Sequence, residues 1–322
     1  MFRGQFQELF YLQPFKSKSV VKTNKLKSFL AVAVRILAFL LICTLLYFQL
    51  EKKNISLNQI EFVHFWPLLL VVLLVPINWF LEYKKWLLML QTIGDGNHPN
   101  RLNAFYAGMV TGLLTPAMAG NFLGRIYYFE KGKRLKLSIY TLSANFAQFS
   151  ISIIVGALAF VLLARSHDIN ANSFELIGII CFAILCLLFY FFGELTLRYL
   201  PIRRLKSLAI MVSRGPSRSI QLGISFLRYL LFITQFSLCI YASTGTFSIH
   251  FLAWIALVFM AVTLTPSLFL GKIVVRESIA VAILGIAGIA PIPVLLSSLS
   301  TWLLNLIIPA IWASLKIKKI NG

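Results

Sequence analysis

Acidic residues are scarce in this chain: ten Asp and Glu stand against thirty Lys and Arg in 322 residues, and all four types together make up 12%. A soluble domain carries roughly a quarter charged residues, so a folded soluble unit of this length is excluded. No glycine-rich nucleotide loop, nucleophile elbow or catalytic carboxylate pair is found, which leaves no ATPase on the chain. Cysteine is sparse too. Cys43, Cys181, Cys186 and Cys239 all sit inside apolar runs and form no metal-type pair, and they are expected to be packing residues. His64, His98, His167 and His250 fall near expected helix ends without ligand spacing. Neither a metal nor another cofactor is expected.

What the sequence has is hydrophobic length. Hydrophobic residues make up 59% and the mean hydropathy is +0.85. Apolar runs cover Phe29–Leu50, Phe62–Leu81, Ser138–Leu163, Phe174–Phe192, Leu222–Ala242, Phe251–Leu264 and Val294–Leu315. Several exceed the ~18–20 residues that cross a bilayer as a helix, and they lack the alternation of a barrel strand. The expected fold is an all-α, polytopic membrane protein with about seven or eight membrane helices. Residues 1–28 form a basic cytoplasmic segment and 29–319 a single transmembrane domain, with Phe29–Leu50 a retained first helix rather than a cleaved signal.

The formal charge of +20 does not point to nucleic acid. Basic residues cluster in Met1–Ser28, Arg198–Arg218 and the tail at Lys316, Lys318 and Lys319, while Glu51–Glu61 is balanced and Arg165–Glu175 slightly acidic. Basic loops alternating with neutral ones mark cytoplasmic and outer sides, and put the N-terminus in the cytoplasm. Lys and Arg near the surface also attract anionic headgroups.

Two apolar stretches are too short to span and are broken by proline. Leu102–Leu114 precedes Thr115-Pro116, and Arg125–Lys136 follows, so both flanks of this segment read as cytoplasmic. Proline cannot continue the hydrogen-bond ladder, and a hairpin that enters and leaves on one side is expected over 102–136. A second broken element, 250–290, contains Thr265-Pro266. The two echo each other. Leu114-Thr115-Pro116, Gly120 and Arg125 match Leu264-Thr265-Pro266, Gly271 and Arg276, with Gly124 ahead of Arg125. Paired, interrupted segments point to a transporter-like site built from inverted repeats. A looser echo links Pro76, Asn78 and Trp79 to Trp302, Asn305 and Pro309.

Arg125 and Arg276 are the leading candidates for chemistry, because a guanidinium near a broken helix end offers a planar fork to a phosphate. Together they would hold a phospholipid or polyprenyl-phosphate headgroup, with Lys272 one turn before Arg276 adding charge. Glu82 and Glu277 are candidates for an ion pair or a proton relay. Asn78, Asn145, Gln148 and Asn305 are polar amides expected to bond between helices. Arg228 is expected to snorkel to the cytoplasmic surface, and Glu194 to pair with Arg198.

Asn78-Trp79 ahead of Lys85-Trp86, Thr115-Pro116…Gly120…Gly124-Arg125, Thr265-Pro266…Gly271…Arg276-Glu277-Ser278 and Trp302…Asn305…Pro309 together resemble the membrane region of lysylphosphatidylglycerol synthases. That region also occurs as a stand-alone "flippase-like" family in bacteria and archaea. The resemblance covers roughly Phe29 to Lys319. Ala119-Gly120-Asn121 departs from it, standing where the family pattern has glycine followed by an acidic residue. The resemblance implies a bacterial inner-membrane protein that moves an anionic or polyprenyl-linked lipid between leaflets; the soluble aminoacyl-transferase domain is not expected here. Two alternatives stay open: a membrane enzyme or subunit of lipid or lipid-carrier modification using Glu82 or Glu277, and a scaffold for a soluble synthase or glycosyltransferase.

Overall fold

In the computed structural model a set of polar and charged side chains turns inward beside the apolar core, while many large apolar side chains face outward. Asn78, Lys85, Arg125, Gln221, Ser225, Gln235, Glu277 and Asn305 are buried, whereas Phe80, Leu158, Leu162, Leu185 and Phe189 are exposed. This inversion of the soluble pattern is stable only where the surroundings are themselves apolar. The structure describes residues 63–113, 120–166, 168–199, 210, 213, 215–265 and 269–317. They belong to one unit, Ile55–Gly322, and contain no strand. The expected first helix, Phe29–Leu50, lies outside them, as do Cys43, Thr115, Pro116, His167 and Pro266.

Ten α-helices are described: α1 Trp66–Thr92, α2 Arg101–Leu113, α3 Asn121–Ile126, α4 Lys131–Arg165, α5 Ser173–Tyr199, α6 Arg218–Thr244, α7 Ile249–Leu264, α8 Phe269–Ile286, α9 Pro291–Trp302 and α10 Ile308–Lys316. A π-helical turn, Leu303–Ile307, joins the last two. Five helices are long and apolar enough to cross a membrane: α1, α4, α5 (Ser173–Leu195), α6, and α9 through α10. The described residues are all-helical, with five candidate membrane-spanning helices. The spans coincide with five of the apolar runs, and α7, at 16 residues, is shorter.

Local chemistry sets the boundaries. Pro67 occupies the first turn of α1, where its missing N–H costs no bond. Ser248 Oγ accepts the His250 N–H and starts α7. Gly245 ends α6 at φ +67°, and Gly288 turns the chain between α8 and α9 at φ +79°, both in the left-handed region that favours glycine. The π turn lies just before Pro309, whose ring would clash with the carbonyl four residues back in a regular helix.

Helices α1 and α6 run antiparallel. His64 N–H donates to the Ala242 carbonyl, Gln235 Nε2 to the Val71 carbonyl, Arg228 to Glu82, and Lys85 Nζ to Ser225 Oγ, so partners descend along α6 as they ascend along α1. Helix α4 also packs against α1, with Lys85 reaching the Ala144 carbonyl and Thr141 the Met89 sulfur. Helices α2 and α3 lie against each other through glycine. A Cβ on Gly124 would fall 2.4 Å from the Ala107 backbone, and one on Gly108 would fall 2.7 Å from Arg125 Cγ. Helix α7 packs on α4 at Gly156, where a Cβ would meet the Met260 Cβ at 2.3 Å.

Small residues at such crossings let helix backbones approach closely in lipid. Gly156→Ala should therefore lower thermal stability in detergent by about 1–3 kcal/mol through overpacking. Gly178→Ala, where a Cβ meets nothing within 4 Å, should leave it unchanged. Equal melting temperatures for the two variants would show that the α4–α7 contact is not close-packed.

Candidate functional site

The centre of the site is one carboxylate. Glu82, on the inward face of α1, accepts a hydrogen bond from Arg125 NH2 at 2.9 Å and another from Arg228 NH1, and Lys85 Nζ lies 4.0 Å away. Arg125 arrives on α3 and Arg228 on α6, so three elements meet at this group. Arg125 is 2% exposed and Lys85 is 2% exposed. A single acid faces three cations in an interior where an unpaired charge is costly. Lys85 is satisfied further by the Ala144 carbonyl and Ser225 Oγ, each at 3.0 Å. Arg125 also lies over the Trp86 ring, its Cζ 5.0 Å from the centroid, where the ring quadrupole attracts a cation.

A directed chain of hydrogen bonds leads away from this cluster. Arg228 Nε donates to Asn78 Oδ1 at 2.9 Å, Asn78 Nδ2 to Asn305 Oδ1 at 2.8 Å, Asn305 Nδ2 to Gln235 Oε1 at 2.9 Å, and Gln235 Nε2 to the Val71 carbonyl at 2.9 Å. Asn305 also reaches the Thr301 carbonyl at 2.9 Å. Each amide acts as both acceptor and donor, so the orientation of all three is set by the guanidinium at one end and a carbonyl at the other.

The second arginine stands across a shared cavity. Arg276 NH2, on α8, donates to Glu277 Oε1 at 2.9 Å and to the Ser298 carbonyl at 2.7 Å, and its Cζ lies 5.5 Å from the Trp302 ring centroid. A cavity of about 330 Å³ is lined by the charged side chains of Glu82, Lys85, Arg125, Arg228 and Arg276 and by the apolar ones of Phe149, Phe232, Phe259, Val262 and Leu306. Trp79, Asn145, Gln148, Trp302 and Asn305 complete the wall. Arg125 Nε, Arg276 Nε, Trp79 Nε1 and Gln148 Oε1 are buried and have no hydrogen-bond partner among the described residues. Lys85, Arg125, Arg228 and Arg276 face the carboxylates of Glu82 and Glu277, an excess of two positive charges.

The structure thus brings both arginines picked out by the echo to one cavity, along with Glu82 and the amides Asn145, Gln148 and Asn305; Asn78 is buried and bonds to Asn305. Asn145 pairs reciprocally with Asn121, at 3.2 and 3.3 Å. Gly120 precedes α3 and Gly124 makes its close contact with α2. Thr265 ends α7, its hydroxyl bonded to the Ala261 carbonyl. Gly271 and Lys272 fall on α8, in a stretch whose side chains lie outside the described residues.

One expectation needs correction. Arg228 does not snorkel to the surface; it turns inward because Glu82 offers an anion that the apolar exterior lacks. Glu194 accepts from Arg218 of the neighbouring α6, and the Arg198 side chain lies outside the described residues. Sequence reasoning also passed over Lys85, Ser225, Gln235 and Asn121. A usable signal existed: Asn78, Glu82 and Lys85, like Gln221, Ser225 and Arg228, recur at i, i+4 and i+7 and so share one helical face.

No family model, no curated protein and no solved structure matches this chain.

If the amide chain is continuous, Asn78 and Asn305 are energetically coupled. A double-mutant cycle with Asn78→Ala and Asn305→Ala, read by unfolding in detergent, should give a coupling of about 0.5–1.5 kcal/mol. Additive losses would show that the two amides do not interact.

Proposed function

We propose that the protein is a lipid translocase that moves an anionic or polyprenyl-linked lipid between leaflets, without an ATPase on this chain. The observation that carries this reading is the cavity, whose lining combines an excess of positive charge with Phe, Val and Leu side chains. The cations suit an anionic headgroup and the apolar side chains suit the chain attached to it. Glu82 and Arg228 each lie ten residues from the adjoining helix ends, Thr92 and Arg218. That is about 15 Å at 1.5 Å per residue, half of a ~30 Å hydrocarbon core.

The element order supports inverted repeats in this reading. A span, a broken element and a span recur as α1, α2–α3, α4 and again as α6, α7–α8, α9–α10, with α1 and α6 antiparallel. In each half the broken element supplies an arginine that lies over a tryptophan, Arg125 over Trp86 and Arg276 over Trp302. The re-entrant course of the two hairpins, a count of seven or eight membrane helices, the cytoplasmic N-terminus and a bacterial inner membrane belong to the same proposal, as does membership of the flippase-like family. Rocking of one repeat against the other would expose the arginines to each leaflet in turn. An acid or base role for Glu82 is disfavoured, because two guanidinium groups already hold its carboxylate.

The test is transport in vesicles containing the purified protein, following an acyl-labelled phosphatidylglycerol by chemical bleaching of the outer leaflet. Arg125→Ala combined with Arg276→Ala should slow movement at least tenfold, with the protein still eluting as a single folded species. Arg276→Lys keeps a cation beside Glu277 but loses the planar fork, and should slow movement without destabilising the fold. Wild-type rates in both would remove the arginines from the transport path.

A further inference from the structure

The charge and the donors of the cavity restrict the headgroup more narrowly than "anionic". We infer that the cavity selects a lipid ending in a compact terminal phosphate, of the monoester type, with two negative charges and three free oxygens, over a phosphodiester lipid. This rests on the translocase reading and specifies its substrate.

Two independent counts lead to it. First, the four cations around the cavity exceed the two carboxylates by two charges. A phosphodiester brings one negative charge and leaves a net cation buried; a terminal phosphate brings two and restores neutrality. In a low-dielectric interior that difference is large, because an uncompensated buried charge is destabilising. Second, each of the two arginines on the cavity wall has guanidinium N–H groups beyond those its carboxylate takes up. The NH2 groups of the two arginines are engaged by Glu82 and by Glu277 with Ser298, which leaves the NH1 groups of both to offer a ligand. A terminal phosphate presents three free oxygens and a phosphodiester only two.

Size and surroundings agree. About 330 Å³ lies at the small end of ligand cavities, which suits a bare phosphate better than a phosphate carrying a large polar group. A free phosphate ion would have the same charge, but it would leave Phe149, Phe232, Phe259, Val262 and Leu306 facing nothing apolar. The apolar wall favours a phosphate carried on a lipid.

The experiment uses the full chain in phosphatidylcholine nanodiscs at pH 7, above the second ionisation of a phosphate monoester. Dioleoyl phosphatidate and dioleoyl phosphatidylglycerol, which share their acyl chains, are added in turn, and retention is read by native mass spectrometry. Inorganic phosphate serves as a competitor. Wild type should retain phosphatidate at least tenfold more tightly than phosphatidylglycerol, and millimolar inorganic phosphate should not displace it. Arg276→Gln, which removes one charge and one guanidinium, should reduce the preference to about threefold or less. Arg276→Lys keeps the charge but loses the planar fork, and should weaken phosphatidate several-fold while the protein still elutes as a single folded species.

Equal retention of the two lipids by wild type, with both lost in the double arginine variant, would overturn the headgroup assignment and leave the translocase reading standing. Displacement of phosphatidate by inorganic phosphate would assign the site to a soluble anion. Retention of neither lipid would also overturn the headgroup assignment, while the translocase reading falls only if the vesicle assay shows no movement above protein-free vesicles.

Discussion

The bidentate use of one carboxylate organises this molecule. Glu82 accepts from a guanidinium on α3 and another on α6, so a single buried group fixes where a short broken element sits relative to two long spans. An ion pair in water contributes little, but in an apolar surround the alternative for each partner is an uncompensated charge. The arrangement is therefore held by the cost of leaving it. It is also unbalanced by construction, because Lys85 stands beside the same acid, and the helix packing has to accommodate the surplus by enclosing a cavity rather than closing over it.

The amide chain from Arg228 to the Val71 carbonyl extends that order into the protein. Each Asn or Gln could be rotated by half a turn at little steric cost, yet a flip at any one would place donor against donor. The cation at one end and the main-chain carbonyl at the other remove that freedom. Around this polar interior the packing is made by close glycine contacts, at Gly124 against Ala107 and Gly156 against Met260. That suits a medium in which apolar side chains gain little by leaving their surroundings for the protein interior.

Much of the architecture was legible in the sequence. Hydrophobic length marks spans directly, and five described spans fall on five of the apolar runs. The echo around the two Thr-Pro breaks led to Arg125 and Arg276, and both lie on the wall of one cavity. Lys85 and Arg228 were missed for a physical reason. Charge counting along the chain treats a basic residue as belonging to the nearer membrane face, and it is blind to which side of the helix the residue occupies. Arg228 sits ten residues into α6 with an acid across the interface, and that acid lies 146 positions earlier in the chain. A polar stripe at helical spacing, read on α1 and α6 separately, carries the information that linear charge counting discards.

The separation of those partners has a consequence for how the protein is made. At a synthesis rate of about 5–20 residues per second, roughly 7–30 s pass between the emergence of Glu82 and that of Arg228. During that interval α1 carries a carboxylate whose main partner does not yet exist. Lys85, one turn away on the same helix, is the cation present from the start, so α1 can enter the membrane as a locally neutralised segment. Arg125 follows after 43 further positions, and Arg228 last. Assembly of the interior is thus ordered by translation, with the nearest cation acting as a temporary counter-ion until the distant ones arrive.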